Sequence, residues 1–521
     1  MSTRTTRVMA WVVVIALALS GAGVAALSVI GASDGGDDAP GSAPAAPVTP
    51  APGSEQAPDP ALQRFYGQRP AWEPCRKGLQ CATLTVPLDY RDPGGDALQI
   101  ALLKVPASGE RLGSLVVNPG GPGAPGTDYA AAARQVFGRP LRQRFDIVGF
   151  DPRGVGDSNP VDCLSDDELT AYLATDPDPD TPAEERAYVA MADAMGTGCQ
   201  ERSGELAAHV STAEAARDMD VLRSALGETT LTYFGASYGT KLGATYAELF
   251  PGNVGRFVLD GAVDPRLGTR EVNLQQAQGF ETALRAYVAN CVESTDDCFL
   301  GSSVEEGLGT IQDLMVRIDA EPLPAGGGRR LTEGDAFLGL ALPLYSRDYW
   351  VILSAALRDA LDGDGATLME LADLYNDRSG GTYKTNSAEA IYAINCLDDP
   401  WAITADQVAA EVPAYTRASP TFGRVFAWMN TTCGGIKVTS TEPRLDIRAE
   451  GAAPILVIGT TRDPATPLVW AEALAEQLDS GVLVTRDGDG HTGYRSGNDC
   501  VDTAVEDYLL DGTVPQDGLA C

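Results

Sequence analysis

A serine held between glycines is the first group in this sequence whose surroundings point to chemistry: Gly235-Ala236-Ser237-Tyr238-Gly239. The apolar run Leu231 to Phe234 precedes it, and a small-residue segment that stops at Pro251 follows it. A sharp strand-to-helix turn needs glycine on either side of its serine, which it lifts above the edge of a sheet. Ser237 would then lie at a helix N-terminus, where backbone N–H groups favour developing negative charge. We predict that Ser237 is a nucleophile; the alternative is a glycine-rich turn whose serine only caps the helix.

A serine hydroxyl is a weak nucleophile until a base takes its proton, and the chain offers only two histidines. His491 follows the apolar run GVLVTRDGDG, where the last strand of such a sheet delivers its base, and it comes after Ser237 in the chain. His209 precedes both Ser237 and a helix cap at Ser211. We predict that His491 is the general base and that His209 is a surface or packing residue.

The imidazole also needs a carboxylate that fixes its tautomer and stabilises the imidazolium. Asp463 ends the run PILVIGTTRD and precedes His491, and Thr466-Pro467 predict a helix start that would hold this loop rigid. We therefore predict that Asp463 is the acid. The alternatives are two aspartates after an earlier apolar run and two beside the histidine, which reach around the ring poorly: Asp260, Asp264, Asp487 and Asp489.

A tetrahedral intermediate on Ser237 carries an oxyanion, which needs at least two N–H donors. The backbone of Tyr238 is the first expected donor. The second is expected in the turn Asn118-Pro119-Gly120-Gly121-Pro122-Gly123, with Gly121 preferred over Gly120. This turn follows the first predicted strand of the sheet, so both donors would meet at one sheet edge.

Short apolar runs separated by helix-length segments must position these residues. They are SLVVNPGG, FDIVGFDPRG, LTYFGASYG, RFVLDGAVDP, PILVIGTTRD and GVLVTRDGDGH, and two earlier runs, CATLTVPLDY and LQIALLKVPA, predict an opening hairpin. Such runs are typical of a parallel sheet covered on both faces. Between 266 and 437 helical patterns dominate. We predict an α/β-hydrolase fold, a mostly parallel central sheet flanked by helices, built from residues 61–265 and 438–521 with an inserted helical cap at 266–437.

The N-terminal segment has the pattern of an export signal. Arg4 and Arg7 precede an apolar stretch from Val8 to Ala32, so residues 1–32 are predicted to be a signal peptide or a membrane anchor. Residues 33–60, rich in Pro, Ala and Gly, predict a disordered tether. The protein is therefore expected to be secreted or at the cell surface, with a possible membrane tether.

The cysteines predict disulfides, and the net charge limits the kinds of partner that the protein can bind. Export makes disulfides the expectation for the ten cysteines, and their spacing suggests pairs of neighbours: Cys75 with Cys81, Cys163 with Cys199, Cys291 with Cys298, Cys396 with Cys433, and Cys500 with Cys521. Close Cys/His clusters and cofactor fingerprints do not occur, so no metal and no cofactor are expected. A net charge of −34 without a basic run predicts that nucleic acid is not a partner.

Six motifs in order, NPGGPG, FDPRGVGDS, GASYGTKLGATYAELFP, VLDGAVDP, AINCLDDP and TTRDPATP, resemble those of exported tripeptidyl aminopeptidases of Gram-positive bacteria, within the wider proline iminopeptidase-like serine peptidases. The resemblance runs from about Cys81 to the C-terminus, and it departs from the HGGPG of proline iminopeptidases at Asn118-Pro119. It implies that Ser237, Asp463 and His491 release short peptides, tripeptides above all, from the free N-terminus of a peptide or protein substrate.

An ammonium group that enters a closed cap must meet a carboxylate, because its desolvation would otherwise oppose binding. Asp398 and Asp399 in AINCLDDP are the predicted receivers, although acidic residues in so acidic a chain are usually surface charges. Two other functions stay open. One is an exported esterase or lipase with the same triad, since one fold hosts many chemistries. The other is a non-catalytic cell-surface binding protein.

Overall fold

A ten-stranded sheet forms the centre of the computed structural model, which describes residues 50–294 and 297–521. Its strands, in chain order, are β1 (Glu73–Pro74), β2 (Gln80–Pro87), β3 (Ala97–Val105), β4 (Gly113–Asn118), β5 (Phe145–Phe150), β6 (Leu231–Ala236), β7 (Val254–Asp260), β8 (Ile455–Arg462), β9 (Gly481–Asp489) and β10 (Leu519–Ala520). Their spatial order is β1-β2-β3-β5-β4-β6-β7-β8-β9-β10. Pairs up to β3–β5 are antiparallel and all later pairs are parallel, which confirms the mostly parallel sheet and the opening hairpin.

Helices pack on both faces of the sheet. Those outside the cap are α1 (Gln63–Tyr66), α2 (Gly126–Ala131), α3 (Ala133–Val136), α4 (Arg139–Arg144), α5 (Asp166–Leu173), α6 (Pro182–Ser203), α7 (Thr212–Ala225), α8 (Tyr238–Leu249), α17 (Leu468–Gln477) and α18 (Asp499–Asp511). Consecutive residues of a strand lie in the apolar cores on opposite faces of the sheet. In β6, Tyr233 packs with α7 and α8 on one face, and Phe234 packs with α2 and α18 on the other. Burial on both faces explains why these strands are continuous apolar runs.

The chain between β7 and β8 is helical. It contains α9 (Thr269–Ser294), α10 (Val304–Ala320), α11 (Glu333–Ala341), α12 (Trp350–Leu361), α13 (Ala366–Tyr375), α14 (Ser387–Asp398), α15 (Ala405–Ala418) and α16 (Gly423–Met429), all inside the predicted cap range, and two short hairpins. These helices bury a separate apolar core around Phe280, Leu353 and Phe426. The α5–α6 segment joins them, because the Tyr188 ring lies 5.5 Å from that of Trp428. Sequence patterns had not assigned α5 and α6 to the cap.

The predicted signal segment, residues 1–32, and residues 33–49 of the predicted tether lie outside the described residues. Residues 50–60 are packed on the fold, since the Ala51 N–H donates to the Gly227 carbonyl at 3.0 Å and Ser54 is 1% exposed. The tether prediction is therefore wrong for this last part: few of its side chains are apolar, but its backbone finds hydrogen-bond partners on the loop after α7. Across the described residues, no helix combines the length and hydropathy needed to cross a bilayer.

Disulfides join all ten cysteines, each to its neighbour along the chain. The pairs are Cys75–Cys81, Cys163–Cys199, Cys291–Cys298, Cys396–Cys433 and Cys500–Cys521. Five disulfides are typical of a protein that works outside the cytoplasm.

Candidate active site

The turn between β6 and α8 presents Ser237 in a strained backbone conformation. Its φ and ψ are 55° and −127°, a region that non-glycine residues enter mainly at functional sites. The Ser237 N–H donates to the Asp260 carbonyl at 2.8 Å, and the Ser237 carbonyl accepts from the Thr240 N–H at 2.8 Å. A side chain at Gly235 would collide with the Gly239 carbonyl. This close approach is the reason why the turn requires glycine.

His491 and Asp463 meet at the same edge of the sheet. His491 Nδ1 lies 2.9 Å from each oxygen of the Asp463 carboxylate. That carboxylate also accepts from the backbone amides of Ala465 and Thr466 at 2.9 and 2.8 Å, and from the Thr466 hydroxyl at 3.0 Å. A carboxylate with so many donors has one orientation, and it holds the imidazole with Nε2 free for a proton.

The electrostatics of His491 suit a base. Burial alone would lower the pKa of His491, but the Asp463 carboxylate outweighs burial, so the pKa is raised above its ordinary 6.5. The cap also holds the histidine in position, because the Tyr345 carbonyl accepts from the backbone N–H of His491 at 2.8 Å and the Tyr345 ring stands edge-on to the imidazole at 5.3 Å. His209, in contrast, bonds through Nδ1 to Glu214 at 2.8 Å.

The alternative acids have other partners. Asp260 accepts the backbone amides of Gly493 and Tyr494 at 2.7 and 2.9 Å, and burial raises its pKa to about 6. The remaining three bind side chains elsewhere: Asp264 binds Gln477, Asp487 binds Arg462, and Asp489 binds Arg347 and Arg462. Asp260 therefore secures the loop that follows the histidine, while Asp463 contacts the imidazole.

The glycine turn after β4 lies against Ser237. A Cβ built on Gly120, whose φ is +100°, would lie 2.8 Å from Ser237 Cβ and 2.9 Å from the Tyr238 nitrogen. The Gly120 N–H is already used, since it donates to Asn118 Oδ1 at 3.0 Å. In residues 50–294 and 297–521, neither the Gly121 N–H nor the Tyr238 N–H has a protein acceptor. These two amides remain available to an oxyanion.

Comparison with known proteins agrees with this geometry. A family model described as TAP-like protein, of the α/β-hydrolase class, matches residues 419–521. Serine protease Hip1 of Mycobacterium tuberculosis is 37% identical over 476 residues, 87% of this chain and 91% of the relative. Tripeptidyl aminopeptidase of Streptomyces coelicolor is 33% identical, covering 86% and 85%. Carboxylesterase B of M. tuberculosis is 36% identical, covering 92% and 94%.

The chain belongs to the tripeptidyl aminopeptidase-like family of serine hydrolases. In this family member one cavity of about 1150 Å³ is lined by Ser237, His491, Gly121 and Tyr238. Ligand pockets usually measure about 300–1,000 Å³, so the cavity has room for several residues of a peptide. Its wall combines sheet-edge loops with cap helices.

The two predicted ammonium receivers line this cavity but have other partners. Asp398 accepts from the Thr212 N–H at 2.9 Å and from Lys241 Nζ at 2.6 Å, so its charge is already paired. Asp399 accepts from the Thr269 N–H at 2.8 Å and caps α9. Sequence reasoning missed Thr212 and Lys241, which lie 186 and 157 residues from Asp398. The only sequence signal for a partner of Asp398 was Lys241 itself, a basic residue near the start of α8, the helix that follows Ser237.

Two groups of side chains have donor atoms within 4.8 Å of one another and the composition of a metal site: Asp89, His209 and Glu214; and Asp176, Asp178 and Glu333. In each group an arginine already binds one carboxylate. Arg91 bonds to Asp89 at 2.8 Å, and Arg424 bonds to Asp178 at 2.9 Å. Neither group contributes to the cavity that Ser237 lines.

Proposed function

We propose that this protein is an exported serine peptidase that releases short peptides, tripeptides above all, from the free N-terminus of a peptide or protein substrate. The observation that carries the proposal is the hydrogen-bonded His491–Asp463 pair, with Nδ1 2.9 Å from both carboxylate oxygens, in a cavity that Ser237 and His491 both line. The relatives named serine protease and tripeptidyl aminopeptidase support it.

The chemistry is acyl transfer in two steps. Ser237 Oγ attacks the scissile carbonyl carbon while His491 Nε2 takes the hydroxyl proton, and the amides of Tyr238 and Gly121 donate to the oxyanion. Collapse breaks the C–N bond, and His491 gives the proton to the leaving amine. Water, deprotonated by the same histidine, then attacks the acyl carbon. The bond from that carbon to Ser237 Oγ breaks, the N-terminal fragment leaves as a carboxylic acid, and His491 returns the proton to Ser237 Oγ.

Asp377 is our candidate for the carboxylate that receives the substrate ammonium, beside the predicted Asp399, because Lys241 already pairs with Asp398. Asp377 lines the cavity, and its carboxylate accepts from the Thr385 hydroxyl at 3.0 Å. No described residue forms an ion pair with it, and burial raises the pKa of Asp377 above its usual range. A buried carboxylate without an ion-pair partner among the described residues offsets the desolvation cost of an incoming ammonium. The positive charge of Lys384 acts on Asp377 only from beyond ion-pair distance.

The test is mass spectrometry of the products from a series of free-amine peptides and their N-acetylated counterparts. We expect release of short N-terminal fragments from the free-amine series alone, labelling of Ser237 by a fluorophosphonate, and loss of both in Ser237→Ala. Asp377→Asn should raise KM for free-amine peptides and leave short-chain esters unaffected, with Asp193→Asn on the exposed side of α6 as the matched control. Intact free-amine peptides after incubation with unlabelled enzyme, taken from a preparation in which a fluorophosphonate does label Ser237, would refute peptidase function.

An esterase is the second candidate, favoured by the 36% identity with carboxylesterase B. The same acyl-enzyme forms from an ester, whose alcohol leaves more easily than an amine. A peptide anilide and a matched short-chain ester separate the two functions. An esterase would hydrolyse the ester at a measurable rate and leave the peptide anilide intact under the same conditions.

Export, and retention at the cell surface or release from it, also belong to this proposal. The export pattern of residues 1–32 and the five disulfides support it. N-terminal sequencing of protein from the medium and from the membrane fraction distinguishes a cleaved signal from a retained anchor. Protein found only in the cytoplasm, with reduced cysteines, would contradict export.

A further inference from the structure

Helix α14 of the cap touches the two segments that carry the proposed oxyanion donors. At its first residue, the Ser387 hydroxyl donates to the Gly123 carbonyl at 2.9 Å. A Cβ built on Gly123 would lie 2.9 Å from the Ser387 carbonyl oxygen and 3.0 Å from Ala390 Cβ. The N-terminal end of α14 therefore lies directly on the glycine turn that holds Gly121.

The other end of α14 reaches the residue after the nucleophile. Asp398, its last residue, accepts from Lys241 Nζ on α8 at 2.6 Å and from the Thr212 hydroxyl on α7 at 2.5 Å. Since the Thr212 hydroxyl donates to the carboxylate, the Tyr238 hydroxyl, 2.7 Å away, donates to Thr212. This chain of hydrogen bonds connects the cap with the side chain of Tyr238, whose amide is the first proposed donor.

We propose that α14 positions the oxyanion hole, with Asp398 as the positioning residue that fixes Tyr238 through Thr212. This inference rests on the proposed function. A 12-residue helix spans about 18 Å, so one rigid element contacts both segments that carry the proposed donors. The Cys396–Cys433 disulfide ties the same end of α14 to the segment after α16. The cap thus takes part in catalysis by holding donors in place, and Asp398 is not available to a substrate ammonium.

The charges explain why an aspartate is needed there. The side chains of Asp398 and Lys241 are 11% and 26% exposed, so water screens the pair only in part. Removing one partner leaves the other charge half-buried and unpaired, which disturbs the local structure more than a surface ion pair would. Thr212 is 3% exposed, and its hydroxyl cannot turn to solvent instead.

The decisive variant is Asp398→Asn, measured with a free-amine peptide anilide and with a short-chain ester. We expect kcat to fall at least 10-fold on both substrates while KM stays within about 3-fold. A peptide boronate, which forms a tetrahedral adduct on the nucleophile, should lose affinity by the same factor as kcat/KM, because oxyanion donors act on that geometry. Asp406→Asn, an exposed aspartate in the first turn of α15, should leave all of these values unchanged.

Thr212→Val and Thr212→Ser keep the inference testable if Asp398→Asn loses stability. Valine removes the hydroxyl that joins Asp398 to Tyr238 and should reproduce the loss of kcat, whereas serine restores the hydroxyl and should restore kcat. Unchanged kcat in Asp398→Asn and Thr212→Val would overturn the inference. So would a KM increase confined to free-amine peptides, which would make Asp398 the ammonium receiver. A wild-type protein inactive on both substrates would instead refute the proposed function.

Discussion

Gly120→Ala tests the geometry of the proposed active site most directly. A Cβ at this position would lie 2.6 Å from the Ala236 carbonyl oxygen, 2.8 Å from Ser237 Cβ and 2.9 Å from the Tyr238 nitrogen. Two of these atoms are backbone and the third is the first carbon of the nucleophile, so none can swing away. Ordinary contacts with a Cβ begin at 3.4 Å, and the turn must therefore move away from the elbow by about 0.8 Å.

Such a movement has a predictable effect on catalysis. It lengthens a donor–oxyanion hydrogen bond of about 2.9 Å to about 3.7 Å, which is beyond bonding distance. Losing one oxyanion donor costs about 10²–10³ in kcat. We expect kcat of Gly120→Ala on a peptide anilide and on an ester to fall by this factor, with a smaller change in KM.

Gly380→Ala is the matched control. Gly380 has a φ of +64° and nothing within 4 Å of a built Cβ, so alanine there strains the backbone without a collision. Its kcat should equal that of the wild type, and thermal unfolding should show a smaller destabilisation than in Gly120→Ala, where backbone must move. The two kcat values are compared well below both unfolding temperatures. A Gly120→Ala protein that keeps kcat within 3-fold of the wild type would refute the packing of the glycine turn against the nucleophile.

Three further variants test the pairing of Asp463 with His491, the hydrogen bond from Thr466 to Asp463, and the disulfide that ties α14 to the rest of the cap. Asp463→Asn should lower kcat by about 10⁴. Because Asp463 raises the pKa of His491, the acid limb of the wild-type profile of kcat/KM against pH should lie above pH 6.5. In the variant this limb should move to lower pH. Thr466→Val removes a hydroxyl that donates to the carboxylate and should lower kcat about 10- to 100-fold without changing the unfolding temperature by more than a few degrees. Replacing Cys396 and Cys433 by serine opens a loop of 37 residues and should reduce the free energy of unfolding, measured by urea titration, by about 4 kcal/mol. The same replacement of Cys75 and Cys81, which close a loop of six residues, should reduce it by about 2 kcal/mol. Equal losses from the two disulfides would contradict the loop-length argument, and an unmoved acid limb would contradict the pairing of the histidine with its aspartate.

Much of the fold follows from local patterns. The six apolar runs became strands β4 to β9 because residues buried on both sheet faces must be apolar without alternation. The elbow was recognisable because a turn with so little room requires glycine two residues before and two residues after its serine. The prediction for residues 50–60 failed because it considered only composition, which offers little apolar surface to bury. The hydrogen-bond partners that hold these residues lie on the surface of the folded domain, far away in the sequence.

The roles of the carboxylates needed the tertiary structure. The sequence by itself determined where strands end, which serine lies in a tight turn and the order of Ser237, Asp463 and His491 along the chain, because these depend on neighbours within a few residues. Only the packing decided that Asp398 pairs with Lys241, 157 residues away, and that the Asp398 carboxylate also binds Thr212, 186 residues away. A charged side chain looks the same in a sequence whether it faces a substrate or another residue; which of the two it meets depends on elements brought together from distant parts of the chain.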